Sequence, residues 1–557
     1  MSNNTRTLNH QNNRRTFLKT VGIAMGAAGF QSTTTIAQQT DGSKQPTGWI
    51  TRRANSERTG TIDATGPLPF PTTEWTLDPD GSLYNIEPIV TEETVYLAVT
   101  TDNSPSENNG YLGAYEVGTG DERWIQPDIP APRTPTVGDE LLYVPTKASP
   151  TVESTATGLY ALDTESGDIA WDRTKRNKWT PPIVTDDALY TSNATGAYAL
   201  DPASGETIWR EKGVGGIANG FEGQVSYSDG TVIYADGTAL NAEDGSTEWQ
   251  APSDRSLLGN SVADDNRVYY LRSDYIKGDD DRVRVEARSL GTGRLDWTYT
   301  AKNNQWDGRL ALAQGYVLLI DENNGKTGVT ALSTETGSSA WTQELHGDYL
   351  STPTVANETI YLGGRYLPTS PSERGSAFIA ALDLATGNHK WIYLLDSSDL
   401  ETSPENPPAA GPPVVVDNQL YTATYPAGSA LDYGYVYYSN VFVLNSCSNQ
   451  VDDDDFLPIN EMPDERDDSQ PLKACIDVTS NRELSDFTAG ENVWLNGFCS
   501  TGSDLQYEWD TNGDGQYDKS KTSVAVTVPE CGSVTIGLKI MDSNENIDTA
   551  SVTLSAT

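Results

Sequence analysis

The residues best spaced for chemistry lie near the end of this 557-residue sequence. Asp510, Asn512, Asp514 and Asp518 place oxygen donors at the first, third, fifth and ninth positions of a loop with Gly515 sixth. That is the first half of a calcium-loop pattern. Its twelfth position is Lys521, where a bidentate Glu is required, so two readings stay open: a partial Ca²⁺ site, or a turn held by its own side chains. Four cysteines, Cys447, Cys475, Cys499 and Cys531, share the same last fifth. In an exported chain an even count suggests two disulfides, of which sequence allows three connectivities. The pair Cys475–Cys499 is favoured if the two sit on neighbouring antiparallel strands.

Other catalytic constellations fail. His10, His346 and His389 are the only histidines, too few for a His-based metal site. Gly325-Lys326-Thr327 imitates the end of a phosphate-binding loop without its upstream glycine, and no Gly-x-Ser-x-Gly elbow occurs. Carboxylate pairs carry no information, because Asp and Glu number 79 against 37 Lys and Arg. The formal charge of −42 disfavours nucleic acid and anionic membranes as partners. The acidity is spread along the whole chain, as on a surface adapted to high salt, and predicts a halophile. Asn193-Ala194-Thr195 and Asn357-Glu358-Thr359 are glycosylation sequons.

Residues 1–37 contain no Asp or Glu. Arg14-Arg15-Thr16-Phe17-Leu18-Lys19 precedes a short apolar run, Val21 to Phe30, too short to span a bilayer. This resembles a twin-arginine signal peptide, with cleavage after Ala37. No cysteine lies near it, and no later segment is long and apolar enough for a membrane anchor. The expected product is secreted or held at the cell surface by another molecule.

The elements that must carry any site are set by internal repetition. A strand ending in Ala-Leu-Asp, a Thr/Ser-Gly turn and a Trp recur: Leu159–Asp163, Ser166-Gly167, Trp171; then Tyr198–Asp201, Ser204-Gly205, Trp209; then Ala380–Asp383, Thr386-Gly387, Trp391. Looser copies end at Trp124, Trp249, Trp297 and Trp341, and successive spacings are 47, 38, 40, 48, 44 and 50 residues. Upstream stands a second theme, as in Pro182-Ile183-Val184 with Leu189-Tyr190, and Pro353-Thr354-Val355 with Ile360-Tyr361. Four short strands at this period suit a propeller blade. Each Trp is expected to dock between neighbours, burying on the order of 150–250 Å². An eighth unit, from Pro412 to Leu444, lacks its turn and its Trp. Thr73-Glu74-Trp75-Thr76-Leu77 can supply that strand and close the ring, giving eight blades, with seven as the alternative.

These residues resemble the pyrroloquinoline-quinone-like repeat family, over roughly residues 49–445. The segment Trp49-Ile50, Ala54-Asn55-Ser56, Thr59-Gly60 also resembles what precedes blade one in secreted archaeal members. After an acidic, Pro-punctuated linker at 447–471, residues 472–557 resemble a PKD domain, an immunoglobulin-like sandwich with Trp509-Asp510 before Gly513-Asp514-Gly515. The expected fold is thus all-β: an eight-bladed β-propeller over 49–446, followed by that sandwich.

The resemblance raises a quinone-dependent dehydrogenase as the alternative function. Such enzymes stack the quinone between a Trp and a disulfide of adjacent cysteines, and hold Ca²⁺ with Glu, Asn and Asp. This chain has no adjacent cysteines and none in the repeats. The leading expectation is a non-catalytic, monomeric scaffold without cofactor, binding a protein or a cell-surface glycan. The expected shape is a rigid disc with two loop-bearing faces and a central channel. Its candidate contact loops are 101–110, 273–282, 365–376 and the tyrosines Tyr433, Tyr435, Tyr437 and Tyr438.

Overall fold

The computed structural model describes residues 47–555 apart from intervening stretches, chiefly 103–108, 147–155, 215–224, 274–281, 303–309, 367–375, 396–407, 427–438, 448–471 and 479–488. The signal segment with Arg14 and Arg15, the acidic linker, the four tyrosines and most of the expected contact loops therefore lie outside the described residues. All regular structure among the described residues is β-strand.

Eight sheets of four or five strands lie between residues 48 and 447. Sheet 3 shows how the repeat makes one of them. Its strands are Ile183–Val184, Leu189–Asn193, Gly196–Leu200 and Thr207–Lys212, joined by short turns in antiparallel order. The two middle strands are buried at every position, because adjacent sheets cover both faces. The polar-apolar alternation of a half-exposed strand is lost there. On the outer strand only Trp209 is buried.

The turn before the outer strand is built by its own residues. The Asp201 carboxylate accepts from the Ser204 amide at 2.8 Å and the Ser204 hydroxyl at 2.7 Å. The Gly205 amide donates to the Asp201 carbonyl, with Gly205 at φ +69°. A β-bulge follows, so that Ala199 opposes Trp209 and Leu200 opposes Thr207. The bulge re-aims the indole towards the next sheet. Sheets 1 to 7 all place an alanine opposite the repeat Trp and shift register just after it. That explains the Ala of the repeated phrase: a methyl group leaves room for the ring across the strand.

The first strands touch one another around the centre between sheets 2 and 3, from sheet 4 through to sheet 8, and between sheets 8 and 1. The ring is shut by the strand Phe70–Leu77, which pairs with Asn440–Cys447, with Trp75 opposite Val443 and Thr76 opposite Phe442. The chain's N-terminal part thus supplies the outer strand that the last unit lacks.

Beyond the ring, Asp477–Val478, Asn492–Asn496 and Ser523–Thr527 form one three-stranded sheet. Gln506–Asp510, Ser533–Met541 and Ile547–Ser555 form another. Val493, Leu495 and Val524 of the first pack with Trp509, Ile536 and Leu538 of the second in one core. Cys475 is disulfide-bonded, while Cys499 and Cys531 lie outside the described residues. Cys447 stands at the end of the strand that pairs with Phe70–Leu77.

Replacing Trp171 by Ala should destabilise the ring by about 3–5 kcal/mol, the usual cost of deleting a packed indole. Trp171→Phe, which keeps most of the packing but not the N–H, should cost less than Trp171→Ala. Denaturant unfolding at native salt measures both, and equal losses would contradict the packing account.

Candidate functional site

Each seam between sheets is locked in one way. The indole Nε1 of Trp124, Trp171, Trp209, Trp249, Trp297 and Trp341 donates to a carbonyl at the turn of the following sheet, at 2.6–3.1 Å. The acceptors are Thr164, Pro202, Ala242, Leu290, Thr334 and Leu384. The closing seams obey the same rule: Trp75 donates to Val117 at 3.0 Å, and Trp391 to Pro67 at 3.0 Å. Sheet 8 has no turn of its own to receive Trp391, so the segment leading into Phe70–Leu77 provides the acceptor.

The turn glycines have a second reason to be glycine. A Cβ on Gly205 would stand 2.7 Å from the Trp171 ring, and equivalent glycines meet the other indoles at similar range. A tyrosine on the second strand completes three seams. Tyr96, Tyr143 and Tyr190 donate to the same carbonyls as Trp124, Trp171 and Trp209, at 3.4, 3.2 and 3.3 Å. Their signal was in the sequence, in the recurring Tyr of the second theme.

The centre of the ring is the main surprise. It is not an open channel: residues 48–62 fill it. Gly48-Trp49 pairs with Val90-Thr91 of sheet 1, and its strand also contacts the Val414–Val416 strand of sheet 8. Val137 of sheet 2 donates its amide to Ile50, Tyr227 of sheet 4 to Ser56, and Ala263 of sheet 5 to Glu57. Leu312 of sheet 6 donates to Thr59 and Val355 of sheet 7 to Gly60, where Thr61–Ile62 adds a parallel strand.

Arginines complete the set. Arg58 is fully buried and donates to the carbonyls of Pro181 and Pro182 ahead of sheet 3, at 3.1 and 3.0 Å, and to Val225 ahead of sheet 4, at 2.9 Å. It also donates to Thr51 Oγ1 at 2.7 Å and the Arg52 carbonyl at 2.6 Å. Arg53 donates to the Pro353 carbonyl and pairs with the buried Glu87 at 3.9 Å. Glu87 in turn accepts from the Arg53 amide at 2.8 Å and the Trp49 indole at 3.2 Å. Desolvation pushes Arg58 down to about 9 and Arg53 to about 10, so both stay charged at neutral pH. Sequence reading passed over these arginines, because a lone Arg reads as surface.

The groups that hold a quinone in the dehydrogenases of the family are otherwise placed among the described residues. Every repeat indole is committed to a seam, the four cysteines are never adjacent, and the space enclosed by the ring is taken by the chain itself. Among the described residues no group of three or more His, Cys, Asp or Glu side chains is arranged to hold a metal. The Asp510 carboxylate accepts from the amides of Gly513 at 2.8 Å and Gly515 at 2.7 Å, with Asn512 and Asp514 at 3.3 Å. Asn512 and Asp514 are likewise engaged with the turn, and Asp518 lies outside the described residues. Of the sequons, Asn193 is buried with its Oδ1 held by Thr195, whereas Asn357 is exposed at a hairpin tip.

Two further features stand outside the axis. In sheet 5 the buried Glu286 holds Arg272 at 2.9 Å and Arg288 at 2.8 Å and also pairs with Arg284, an internal ion cluster within one sheet. At the closing seam a recess of about 440 Å³ is lined by Leu77, Asp78, Asp80, Tyr111, Tyr115 and Glu122, among others. Two residues past Trp124 and Trp171, Gln126 and Arg173 reach the carbonyls of Gly167 and Gly205. Leu77 occupies that place past Trp75, and its apolar side chain offers no such bridge.

A ring of four-stranded sheets locked by a repeated indole-to-turn contact defines a β-propeller of the pyrroloquinoline-quinone-like repeat class. The chain matches the family described as outer membrane protein assembly factor BamB over residues 108–256, 193–305 and 279–429, and belongs to that family. None of the curated proteins matches it. Similar solved structures include BamB from Moraxella catarrhalis, 17% identical, covering 68% of this chain and 99% of that one, with a TM-score of 0.45. Quinohemoprotein alcohol dehydrogenase from Comamonas testosteroni is 11% identical, covering 71% of this chain and 80% of that one, with a TM-score of 0.49.

The turn carboxylates set an acid limit. Hydrogen bonds from Ser166 and Ser204 hold Asp163 and Asp201 below the ordinary carboxylate range. A depressed folded-state pKa adds stability that is complete above the unfolded value, about 3.9, and is lost as pH falls through the folded one. Acid unfolding at constant salt should therefore become less steep in Asp163→Asn and Asp201→Asn variants; an unchanged profile would contradict the turn's role.

Proposed function

We propose that this protein is a non-catalytic binding and scaffold propeller that works outside the cytoplasm. One observation carries the reading: residues 48–62 fill the ring's interior, and the indoles that a quinone could stack on are consumed by the seams. What is left for recognition is the outer surface of a rigid body, which suits partner binding better than enclosed chemistry. Family membership supports the same direction, since the family is described as an assembly factor. The twin-arginine-like segment supports export of a folded product, and no helix among the described residues is long and apolar enough to cross a membrane. A PKD-like sandwich after the ring supports a place at the cell surface, where such modules act as spacers. A partial Ca²⁺ site in that sandwich stays part of this proposal, tested by titrating the whole chain with Ca²⁺ in a calorimeter.

The partner is a protein or glycan of the cell surface. Its contact must tolerate, or complement, an acidic exterior. Crosslinking on the native cell surface at native salt, followed by recovery of the protein, should bring down a partner in defined ratio; bait alone would count against the scaffold. Incubation of the purified protein with pyrroloquinoline quinone and Ca²⁺ should leave no quinone absorbance migrating with it. Co-migration would instead favour the dehydrogenase reading.

A further inference from the structure

Residues 48–62 behave as a ligand of the ring that happens to be covalently attached. They are contiguous, and they contact all eight sheets or the residues just ahead of them. Nearly every group that receives them is a backbone group of a first strand or of the residues just before it. The Pro181, Pro182 and Pro353 carbonyls turn inward, and proline contributes no amide to compete with them. The bore is therefore rich in acceptors, and guanidinium, with five N–H donors in a fixed fork, is the side chain best able to satisfy several at once.

The segment's own conformation points the same way. Arg53, Ala54 and Arg58 have φ of 62°, 73° and 61°, left-handed values at non-glycine residues. Each costs roughly 1–2 kcal/mol in a free chain. A short peptide does not choose three such residues in six positions by itself; the surrounding ring imposes them. Arg53 and Arg58 are wholly buried, so their desolvation is offset only where the carbonyls and Glu87 surround them.

We propose that the bore of the ring is a binding site for a turn-forming, arginine-bearing peptide segment, and that residues 48–62 are its resident and exchangeable occupant. The site recognises backbone-paired peptide with guanidinium groups at the places of Arg53 and Arg58. The occupant locks the bore against other ligands, and its departure would expose the carbonyls of Pro181, Pro182, Val225 and Pro353 together with the amides of Val137, Tyr227, Ala263, Leu312 and Val355. The inference is independent of what the outer surface binds.

The test uses the full chain with a protease recognition sequence inserted between Asp63 and Ala64, where Asp63 is exposed. The protein is cut after folding, at native salt, then passed over a sizing column. The N-terminal fragment should stay bound one-to-one. A labelled synthetic peptide of residues 44–63 in excess should then replace it, with the remaining ring keeping its tryptophan fluorescence. The same peptide carrying Arg53→Ala and Arg58→Ala should compete at least about a hundredfold more weakly, as expected when buried charge contacts are removed. Loss of the fragment on cutting, with the ring unchanged, would overturn the proposal by showing that the bore does not hold it. Equal competition by the doubly substituted peptide would also overturn it. So would collapse of the cut ring, or retention without exchange up to the unfolding midpoint, since the segment would then be core and not occupant.

Discussion

One contact decides the architecture: an indole from the outer strand of each sheet wedged against the turn of the next. An isolated four-stranded sheet has two apolar faces and nothing to cover them. In the ring each face is covered by a neighbour, and the Trp fixes the spacing. Burial on the order of 150–250 Å² per indole gives roughly 4–6 kcal/mol of gross hydrophobic stabilisation per seam at about 25 cal/mol per Å². The N–H then needs one acceptor, and the carbonyl at the start of the next turn supplies it. So large a ring also requires small neighbours. Alanine stands opposite it within its own sheet, and glycine stands before it in the next. The repeated Ala, Gly and Trp are three parts of one steric solution.

That solution closes the circumference but leaves the centre. First strands converging on an axis present polar backbone to a narrow space, where unpaired carbonyls are costly. Apolar side chains could not satisfy them. A threaded peptide can, with its amides and carbonyls pairing outward and its arginines reaching the acceptors that strand pairing misses. The same N-terminal stretch then runs on to Pro67, which accepts from Trp391, and to Phe70–Leu77, which completes sheet 8. Filling the middle and shutting the edge are done by about thirty consecutive residues.

The difference between these two tasks explains what the sequence revealed. The seams were legible because they recur: Trp, turn glycine and Asp return at nearly constant spacing, and the closing strand was legible as the missing member of a series. The alanine opposite the Trp of sheets 1 to 7 was visible, but its reason needed the bulge and the register. The axial segment happens once. Nothing in Trp49, Arg53 or Arg58 repeats, and the charge of the two arginines suggests solvent, so a central channel was expected with no sign that this segment would run through it. The oxygen-rich loop at Asp510 shows the converse. Spacing alone left a calcium site open beside the favoured self-held turn, and the described amides are directed at the Asp510 carboxylate.

The interior also changes how the charge should be read. Arg52, Arg53, Arg58, Arg272 and Arg288 are buried, in a chain with only 37 basic residues to set against 79 acidic ones. Buried guanidinium satisfies carbonyls and Glu87 or Glu286; it does nothing to neutralise the exterior beyond a Debye length of salt. The outer surface is therefore more acidic than the composition implies. A partner that approaches it gains encounter rate from basic groups of its own, and in concentrated salt that advantage is screened away. Under such screening, shape and hydrogen bonding must carry recognition, and a rigid ring that holds its outer turns in fixed relation is suited to provide them.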